Sequence, residues 1–318
     1  MMMAEAPQGD DDIFVYMGGN QRVPDGVRRA RIHKSVKIVR ARAFCKRTQL
    51  ISVEFHDGVE IIEGAAFFNC WRLSGAIKLL GVKIIKQKAF QYCCNLTGVE
   101  FGDKLETIEQ EAFHGCISLK KIRIPSVRTI GKRVFANCLM LANVECGEGL
   151  RMIQRRAFYC CPKLERIALP LKAGMIEDDV FFFCEDLTTI DLVGGIHNTI
   201  ASLHMESWRN EMTGEINRIN QVLPTIEEKT DLMQQWMRST NERFDHYKAE
   251  HRKLLKEATT LLELALWKTN LGENGGDRLD REELRTTKGS RKRARDEIRY
   301  TSGASIVIKN VLPFLALK

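Results

Sequence analysis

The sequence predicts an α/β solenoid, built from stacked units that each contain a short strand, followed by an α-helical region. The main observation is a repeat: seven phenylalanines recur every 22 or 23 residues, at Phe44, Phe67, Phe90, Phe113, Phe135, Phe158 and Phe181. The second observation is a heptad-like periodicity that begins only after this repeat has ended. Because a unit of about 23 residues cannot bury its own apolar face, it has to stack on copies of itself.

Other positions keep the same register within each repeat. A leucine follows every repeat phenylalanine by six residues. A cysteine follows it by three residues in every repeat except the first, which has Arg47. An apolar residue lies nine positions after each phenylalanine, in a stretch with apolar residues two apart that is typical of a strand. We expect parallel strands about 4.8 Å apart, with continuous ladders of Phe, Leu and Cys in one core.

The most regular repeat reads AFHGCISLKKIRIP over residues 112–125, and residues 157–170 follow it closely. This pattern, AFxxCxxLxxIxIP, resembles the BspA-type leucine-rich repeats of bacterial and protist proteins, and seven such units cover about residues 36–192. The resemblance implies a leucine-rich repeat solenoid used as a binding scaffold, with no catalytic residues. It also implies relatives at the cell surface, although we find no export signal in this sequence.

We predict five segments along the chain. Residues 1–35 form a tail and capping strands, and residues 36–195 form the solenoid of seven repeats. Residues 196–271 form a helical hairpin or a coiled-coil-like region. Residues 272–300 are a charged flexible linker, and residues 301–318 are an apolar segment that either folds back onto the helices or binds a partner.

The ten cysteines predict neither a metal site nor a cofactor. They form no Cys-x-x-Cys pair, and no His-x(3–5)-His pair accompanies them, so the usual zinc spacing is missing. We expect the ladder cysteines to be buried, reduced and inert, with metal binding or redox sensing as the alternative. The better candidates for exposed thiols lie off the ladder: Cys45, Cys94, Cys146 and Cys160.

The chain ends and the hydropathy predict an intracellular protein without a membrane partner. The acidic N-terminal segment lacks the basic start and apolar run of a secretory signal, and no apolar stretch approaches the roughly 18 residues of a membrane span. We expect the cytoplasm or, through an import signal, the nucleus. The candidate import cluster in the linker comprises Lys288, Arg291, Lys292, Arg293 and Arg295.

The net charge of +8 is concentrated at two places, this linker and the N-terminal cap. Residues 28–47 contain no acid, and we select as a candidate patch Arg28, Arg29, Arg31, Lys34, Arg40 and Arg42. One interpretation is a polyanion-binding surface for nucleic acid, phospholipid or an acidic protein. The other is a solvated end that keeps the solenoid from stacking on another molecule. Nucleic acid is not the favoured partner.

Residues between the ladder positions form the predicted strand face. The residues ten positions after each phenylalanine are expected to point outward, including Ile77 in the second repeat. The candidate protein-binding residues on this face are Glu54, Glu100, Lys120, Lys121, Arg123, Glu145 and Asp191. Exposed solenoid faces commonly bind partners, and without an aromatic platform this one fits a protein better than single-stranded nucleic acid. The other interpretation is a merely soluble face.

Two helices are predicted after the solenoid. The first begins at Asn198 and ends at Pro224, and the second has Thr225 as its N-cap, with Glu227 and Glu228 in its first turn. Apolar residues over 226–268 recur at intervals of three and four. This stripe predicts either packing within a helical hairpin or self-association as a coiled coil.

These features predict a non-enzymatic protein-interaction scaffold whose partner the sequence does not name. The alternative is a nuclear or nucleic-acid-associated protein that uses the basic cap and the cluster at residues 288–295. An enzyme is disfavoured because we find no P-loop, dinucleotide-binding, nucleophile-elbow or zinc-protease motif. A repeat also places the same residues at the same positions, whereas an active site needs different groups converging on one point.

Overall fold

The computed structural model describes residues 13–193 and 206–273. In chain order the strands are β1 (Ile13–Tyr16), β2 (Arg29–Ile32), β3 (Ile38–Val39), β4 (Ser52–Glu54), β5 (Ile61–Ile62), β6 (Gly75–Leu79), β7 (Ile84–Ile85), β8 (Leu96–Phe101), β9 (Thr107–Ile108), β10 (Lys121–Ile124), β11 (Thr129–Ile130), β12 (Asn143–Cys146), β13 (Met152–Ile153), β14 (Arg166–Leu169) and β15 (Thr189–Leu192). Two helices follow, α1 (Glu206–Val222) and α2 (Lys229–Glu273), with a 3₁₀ turn at Leu223–Thr225 between them.

The strands confirm the predicted parallel solenoid. The longer strands form a sheet in the order β15-β14-β12-β10-β8-β6, and the two-residue strands form a second sheet in the order β13-β11-β9-β7-β5-β3. At the N-terminal end, β1, β2 and β4 form a three-stranded sheet, so the predicted capping strands are present. All strand pairings within the described residues are parallel.

The predicted Phe and Leu ladders form the core. All seven repeat phenylalanines and all seven repeat leucines are fully buried. Neighbouring phenylalanine rings lie 4.8 to 5.7 Å apart between centroids and within 13° of parallel. Tyr16 closes this stack at the N-terminal end, 5.2 Å from Phe44. Each repeat is thus held by the same rings that hold its neighbours, which is why no unit is stable alone.

The cysteine ladder is buried as predicted, and it also makes hydrogen bonds. Each ladder thiol donates to the carbonyl oxygen of the phenylalanine one repeat earlier, over 2.9 to 3.3 Å. That carbonyl also accepts a turn hydrogen bond from its own repeat, such as Arg47 N to Phe44 O at 3.1 Å. A small residue with a weak donor fits this rung, because the carbonyl has a second lone pair to satisfy.

The second repeat corrects one prediction about the strand face. Ile77 is buried and Ala76 is exposed, the reverse of the expected orientation. The pairing of β6 with β8 is irregular beside Gly75 and Ala76, and Ile77, ten residues after Phe67, pairs with Val99, nine residues after Phe90. A one-residue shift moves the side chains to the opposite faces of a strand, and therefore Lys78 takes the outward position expected for Ile77.

Arg47 closes the N-terminal end of the cysteine ladder. Its side chain is mostly buried, with 14% of its surface exposed. Its guanidinium donates to Val23 O at 2.7 Å and Cys45 O at 3.1 Å, and it pairs with Asp25 at 2.9 Å. No preceding repeat supplies a phenylalanine carbonyl here, and the longer arginine reaches the carbonyls of the cap instead.

The C-terminal end of the solenoid is covered by α1 and the start of α2. Asn220 on α1 hydrogen bonds to the backbone of Ile190, and Thr230 on α2 accepts a hydrogen bond from Phe181 N at 2.9 Å. Lys229 donates to Glu185 O at 2.7 Å and Leu187 O at 2.9 Å. These side chains satisfy backbone groups that the next repeat would otherwise bind.

The helix boundaries differ from the predicted ones. Thr225 ends the 3₁₀ turn rather than capping α2, and its hydroxyl donates to Val222 O at 2.8 Å. Helix α2 begins at Lys229, after Glu227 and Glu228, and continues past residue 268 to Glu273. The predicted start of the first helix at Asn198, the linker and the C-terminal segment lie outside the described residues.

The chain divides into two compact units, Met1–Glu242 and Arg243–Lys318. The first unit contains the solenoid together with α1 and the first turns of α2. In the second unit, α2 continues to Glu273. The change of unit therefore falls within the longest helix and not at the end of the repeats near residue 195.

Candidate functional site

The strand face presents one outward column of alternating charge. In chain order its members are Arg31, Glu54, Lys78, Glu100, Arg123, Glu145, Ala168 and Asp191. The strand pairing aligns Lys78 with Glu100, Glu100 with Arg123, and Arg123 with Glu145. The candidate acids and Arg123 therefore lie on one face, as the repeat predicts.

Ion pairs join this column from one repeat to the next. Lys78 pairs with Glu100 and Arg123 pairs with Glu145, each at 3.6 Å. The other pairs are Arg31 with Glu54, and Arg166 with Asp191. Because these side chains are exposed, each pair contributes at most about 1 kcal/mol to the free energy of unfolding. The face is nearly neutral, and a partner can exchange these pairs for its own at low cost.

Lys120 and Lys121 interrupt this balance. Both side chains are exposed, and neither has an acidic oxygen within 4.0 Å in the part of the chain that the structure describes. Lys121 lines a shallow groove of about 460 Å³ over β10 to β15, together with Glu145, Arg166 and Asp191. The groove is open and has charged walls, which suits a polar segment better than an enclosed small molecule.

A second surface, which we call the apolar edge, was missed by the sequence analysis. It consists of the residues just after the ladder cysteines: Trp71, Cys94, Ile117, Leu139 and Met140. Backbone hydrogen bonds stack these positions directly, from Ser118 N to Cys94 O and from Met140 N to Ile117 O. The apolar edge therefore runs along consecutive repeats beside the strands.

The apolar edge is open to solvent despite its composition. Trp71 is 44% exposed, Ile117 39%, Leu139 40% and Met140 51%, whereas Cys94 is half-buried. The guanidinium of Arg72 lies 6.0 Å from the centre of the Trp71 ring. A signal for this surface was present in the sequence: in the second to fifth repeats, an apolar residue lies four positions after the repeat phenylalanine, outside the ladder positions.

The basic residues of the cap occupy two parts of the first turn. Arg29 and Arg31 point outward from β2, after the exposed Arg28 and before the exposed Lys34. Arg40 and Arg42 follow β3 in the other sheet. Arg31 pairs with Glu54, and Arg40 pairs with Glu63 at 3.8 Å. The six candidate residues therefore do not form a single row on one strand.

The cysteines show no sign of an activated thiol among the described residues. Burial raises the pKa of Cys70 to about 12, and it raises the pKa values of Cys93, Cys116, Cys138 and Cys161 as well. Cys146 is also buried, so its expected exposure is wrong. It occupies an inward position on β12. Cys45, Cys94 and Cys160 are half-buried.

The described ranges contain no group of three or more His, Cys, Asp or Glu side chains that could hold a metal ion. On α2, Leu261 of the predicted apolar stripe is 67% exposed, and the neighbouring Leu264 and Trp267, outside that stripe, are 59% and 70% exposed. The basic cluster at residues 288–295, including Lys288, Arg291, Lys292, Arg293 and Arg295, lies outside the described residues.

Within the described residues, no helix has the length and apolarity needed to cross a membrane.

Comparison with known families identifies the repeat. A family model described as a BspA type leucine rich repeat region matches residues 26–126 and 83–210, with six copies. The two matched ranges together cover more than half of the chain. No curated protein matches the sequence.

Solved structures with similar repeats include proteins from two bacteria. A leucine rich cell surface protein from Faecalibacterium prausnitzii is 30% identical, with a TM-score of 0.47, over 58% of this chain and 51% of that one. A leucine rich repeat protein from T. pallidum is 31% identical, with a TM-score of 0.42, over 45% of this chain and 69% of that one. The match thus spans about half of the F. prausnitzii protein.

Proposed function

Because the chain belongs to the BspA-type leucine-rich repeat family, we propose that it is a non-enzymatic scaffold that binds a protein partner through the apolar edge and the adjoining strand face. Leucine-rich repeat solenoids are commonly used for protein interaction. The observation that supports the proposal best is the row of solvent-exposed apolar side chains on consecutive repeats.

The apolar edge has the composition of a binding surface. Tryptophan, methionine and arginine are enriched at protein interfaces, and Trp71, Arg72 and Met140 provide all three. Contiguous exposed apolar side chains on a folded domain mark interaction sites, whereas isolated ones need no explanation. Burying the four most exposed members would supply the hydrophobic part of the binding free energy.

The strand face supplies the polar part of the proposed surface. The charged side chains of the column can exchange their ion pairs with each other for ion pairs with a partner. Lys120 and Lys121, which have no acidic partner among the described residues, attract an acidic segment. We assign no catalytic role, because each repeat presents the same residue types at the same position. This regularity suits an extended contact surface and gives no convergence of reacting groups.

Association with nucleic acid or a nuclear location is the second candidate function. It is supported by Arg28 and Arg29, which are exposed and have no acidic partner among the described residues, and by the sequence of the 288–295 cluster. Nucleic-acid binding would fall steeply with salt and would be lost on substituting residues 28–42. Nuclear import would be lost in the variant Arg291→Ala, Lys292→Ala and Arg293→Ala.

We also propose that α2 associates with a second copy of the chain. The exposed Leu261, Leu264 and Trp267 recur at intervals of three on one side of the helix, in a region with heptad-like spacing. The variant Leu261→Glu and Leu264→Glu is expected to convert a dimer to a monomer in light-scattering chromatography. A wild-type chain that is monomeric at high concentration would overturn this proposal.

Site-specific crosslinking in the native cell tests the main proposal. A photoreactive benzoylphenylalanine at Met140 is expected to capture a partner, whereas the same residue at the exposed Lys132 is not. Trp71→Ala with Ile117→Ser should remove the crosslink from position 140. Phe183→Ala, which removes an exposed ring outside the apolar edge, should leave it intact. Equal crosslinking from both positions, or no effect of the double substitution, would contradict the proposed surface.

A further inference from the structure

The N-terminal cap contains a polar cleft that the proposed protein-binding surfaces do not use. The cleft has a volume of about 270 Å³ and lies between the loop after β1 and the turn after β3. Four arginines line it: Arg22, Arg40, Arg42 and Arg47. No acidic residue lines it, which distinguishes the cleft from the balanced strand face.

Two of the four arginines already have acidic partners among the described residues, and two do not. Arg47 pairs with Asp25 and donates to two carbonyls, and Arg40 pairs with Glu63 at 3.8 Å. Arg22 and Arg42 are exposed, and neither has an acidic oxygen within 4.0 Å in residues 13–193 or 206–273. Two guanidinium groups with ten N–H donors are thus available at the cleft.

A buried hydroxyl at the same cleft also lacks a well-aligned partner. Tyr16 lines the cleft and is fully buried, and its hydroxyl makes no hydrogen bond of standard geometry within the described residues, although the Arg40 backbone lies close to it. A buried polar group without a partner is costly, so such a group in a native fold indicates a missing ligand or water. Burial raises the pKa of the Tyr16 phenol, although the Arg40 backbone opposes this effect. The phenol therefore stays protonated and can donate.

We propose that this cleft binds a phosphate group, held by Arg22, Arg42 and the Tyr16 hydroxyl. Guanidinium groups match phosphate oxygens in a bidentate geometry, and charge-assisted hydrogen bonds are about twice as strong as neutral ones. Because arginines line the cleft and no acidic residue does, the cleft favours a dianion such as phosphate over a singly charged carboxylate. The proposal is independent of the apolar edge, which lies on later repeats.

Calorimetric titration of the full chain with inorganic phosphate at low ionic strength tests the proposal. Saturable binding is expected for the wild type, and Arg22→Gln with Arg42→Gln should weaken it by at least about tenfold. The matched control Arg28→Gln with Arg29→Gln removes the same charge outside the cleft and should keep the wild-type affinity. Phosphoserine titrated in parallel distinguishes an esterified phosphate from the free ion.

A tyrosine variant provides an independent readout. Tyr16→Phe removes a hydroxyl that has no hydrogen bond of standard geometry in the described residues, so it should leave the thermal midpoint without phosphate unchanged or higher and reduce the shift that phosphate produces. The proposal is overturned if neither phosphate nor phosphoserine binds saturably. It is also overturned if the two double variants lose affinity equally, because binding would then depend on diffuse charge.

Discussion

The side-chain amide of Asn220 binds both backbone groups of Ile190. The Ile190 N–H donates to Asn220 Oδ1 at 2.9 Å, and Asn220 Nδ2 donates to Ile190 O at 3.2 Å. Asn220 thus takes the place of a residue on the next strand, and it closes the edge of the sheet at β15. An open edge of this kind would be a template for pairing with another chain.

Asn220→Ala is expected to lower the free energy of unfolding by about 2 kcal/mol, because it leaves two backbone groups without partners. Asn220→Asp keeps the acceptor but loses the donor, so its effect should be intermediate. Urea unfolding measures both. The control is Asn210→Ala, at an exposed position on the same helix. An Asn220→Ala variant as stable as this control would show that the edge is closed in another way.

Gly147 lies where the backbones of two neighbouring repeats approach each other closely. A Cβ atom at this position would be 1.5 Å from Pro125 O, whereas one at Gly149 would meet nothing nearer than 4.0 Å. Gly147→Ala is therefore expected to destabilise the fold by about 3 kcal/mol through displaced backbone. Gly149→Ala should change the free energy of unfolding by less than about 0.5 kcal/mol. Similar thermal midpoints for the two variants would contradict this geometry.

The first rung of the cysteine ladder depends on Arg47. Arg47→Ala removes a mostly buried guanidinium and leaves the carbonyls of Val23 and Cys45 without this donor. We expect a loss of about 2–3 kcal/mol in the free energy of unfolding, measured by chemical denaturation. Lys34→Ala, an exposed substitution in the same turn, is the control. If both variants unfold at the same denaturant concentration, the side chain of Arg47 does not stabilise the cap.

The buried thiols predict a loss of stability at alkaline pH. Burial raises the pKa of Cys70 from 9.0 to about 12. The thiol therefore stays neutral in the folded state, while the unfolded state ionises above pH 9. Stability is fully present below the unfolded value and falls as pH rises toward the folded value. Each such thiol should contribute about 1.4 kcal/mol less at pH 10 than at pH 8.

Urea titrations at pH 8 and pH 10 measure this dependence. Burial also raises the pKa of Cys138, so Cys138→Ala should unfold with a shallower pH dependence than the wild type. An unchanged difference between the two pH values in this variant would show that other groups cause the alkaline loss.

The repeat spacing predicted the parallel solenoid and its ladders because each rung places an identical side chain against its copy. A position that recurs in all seven repeats, such as Leu50 and its equivalents, has the same neighbours in each repeat, and its burial therefore follows from the spacing. The boundaries of the helices were less predictable. Thr225 and the two acids after it read as a helix start, but the 3₁₀ turn at Leu223–Thr225 delays α2 until Lys229.

The candidate surfaces were only partly predictable. The strand face was expected from the alternation of inward and outward positions along each strand, and most of the candidate residues lie on this face. Ile77 does not, because a register shift beside Gly75 depends on how β6 pairs with β8. The apolar edge, which includes Trp71 and Ile117, was not predicted from the sequence. Their exposure depends on the side of the turn on which they lie, which a one-dimensional spacing does not specify.

The sequence by itself determined the repeat length, the three ladders and the membership of the repeat family, since these depend on local spacing and on like residues stacking. The tertiary structure alone decided how the two ends are closed. Arg47 hydrogen bonds to Val23 in the cap, 24 residues away along the chain. Asn220 hydrogen bonds to Ile190 on β15, 30 residues away. At each end the repeat has no neighbour to supply hydrogen bonds. Which side chain satisfies the free backbone groups at each end therefore depends on which residue the folded chain places beside them.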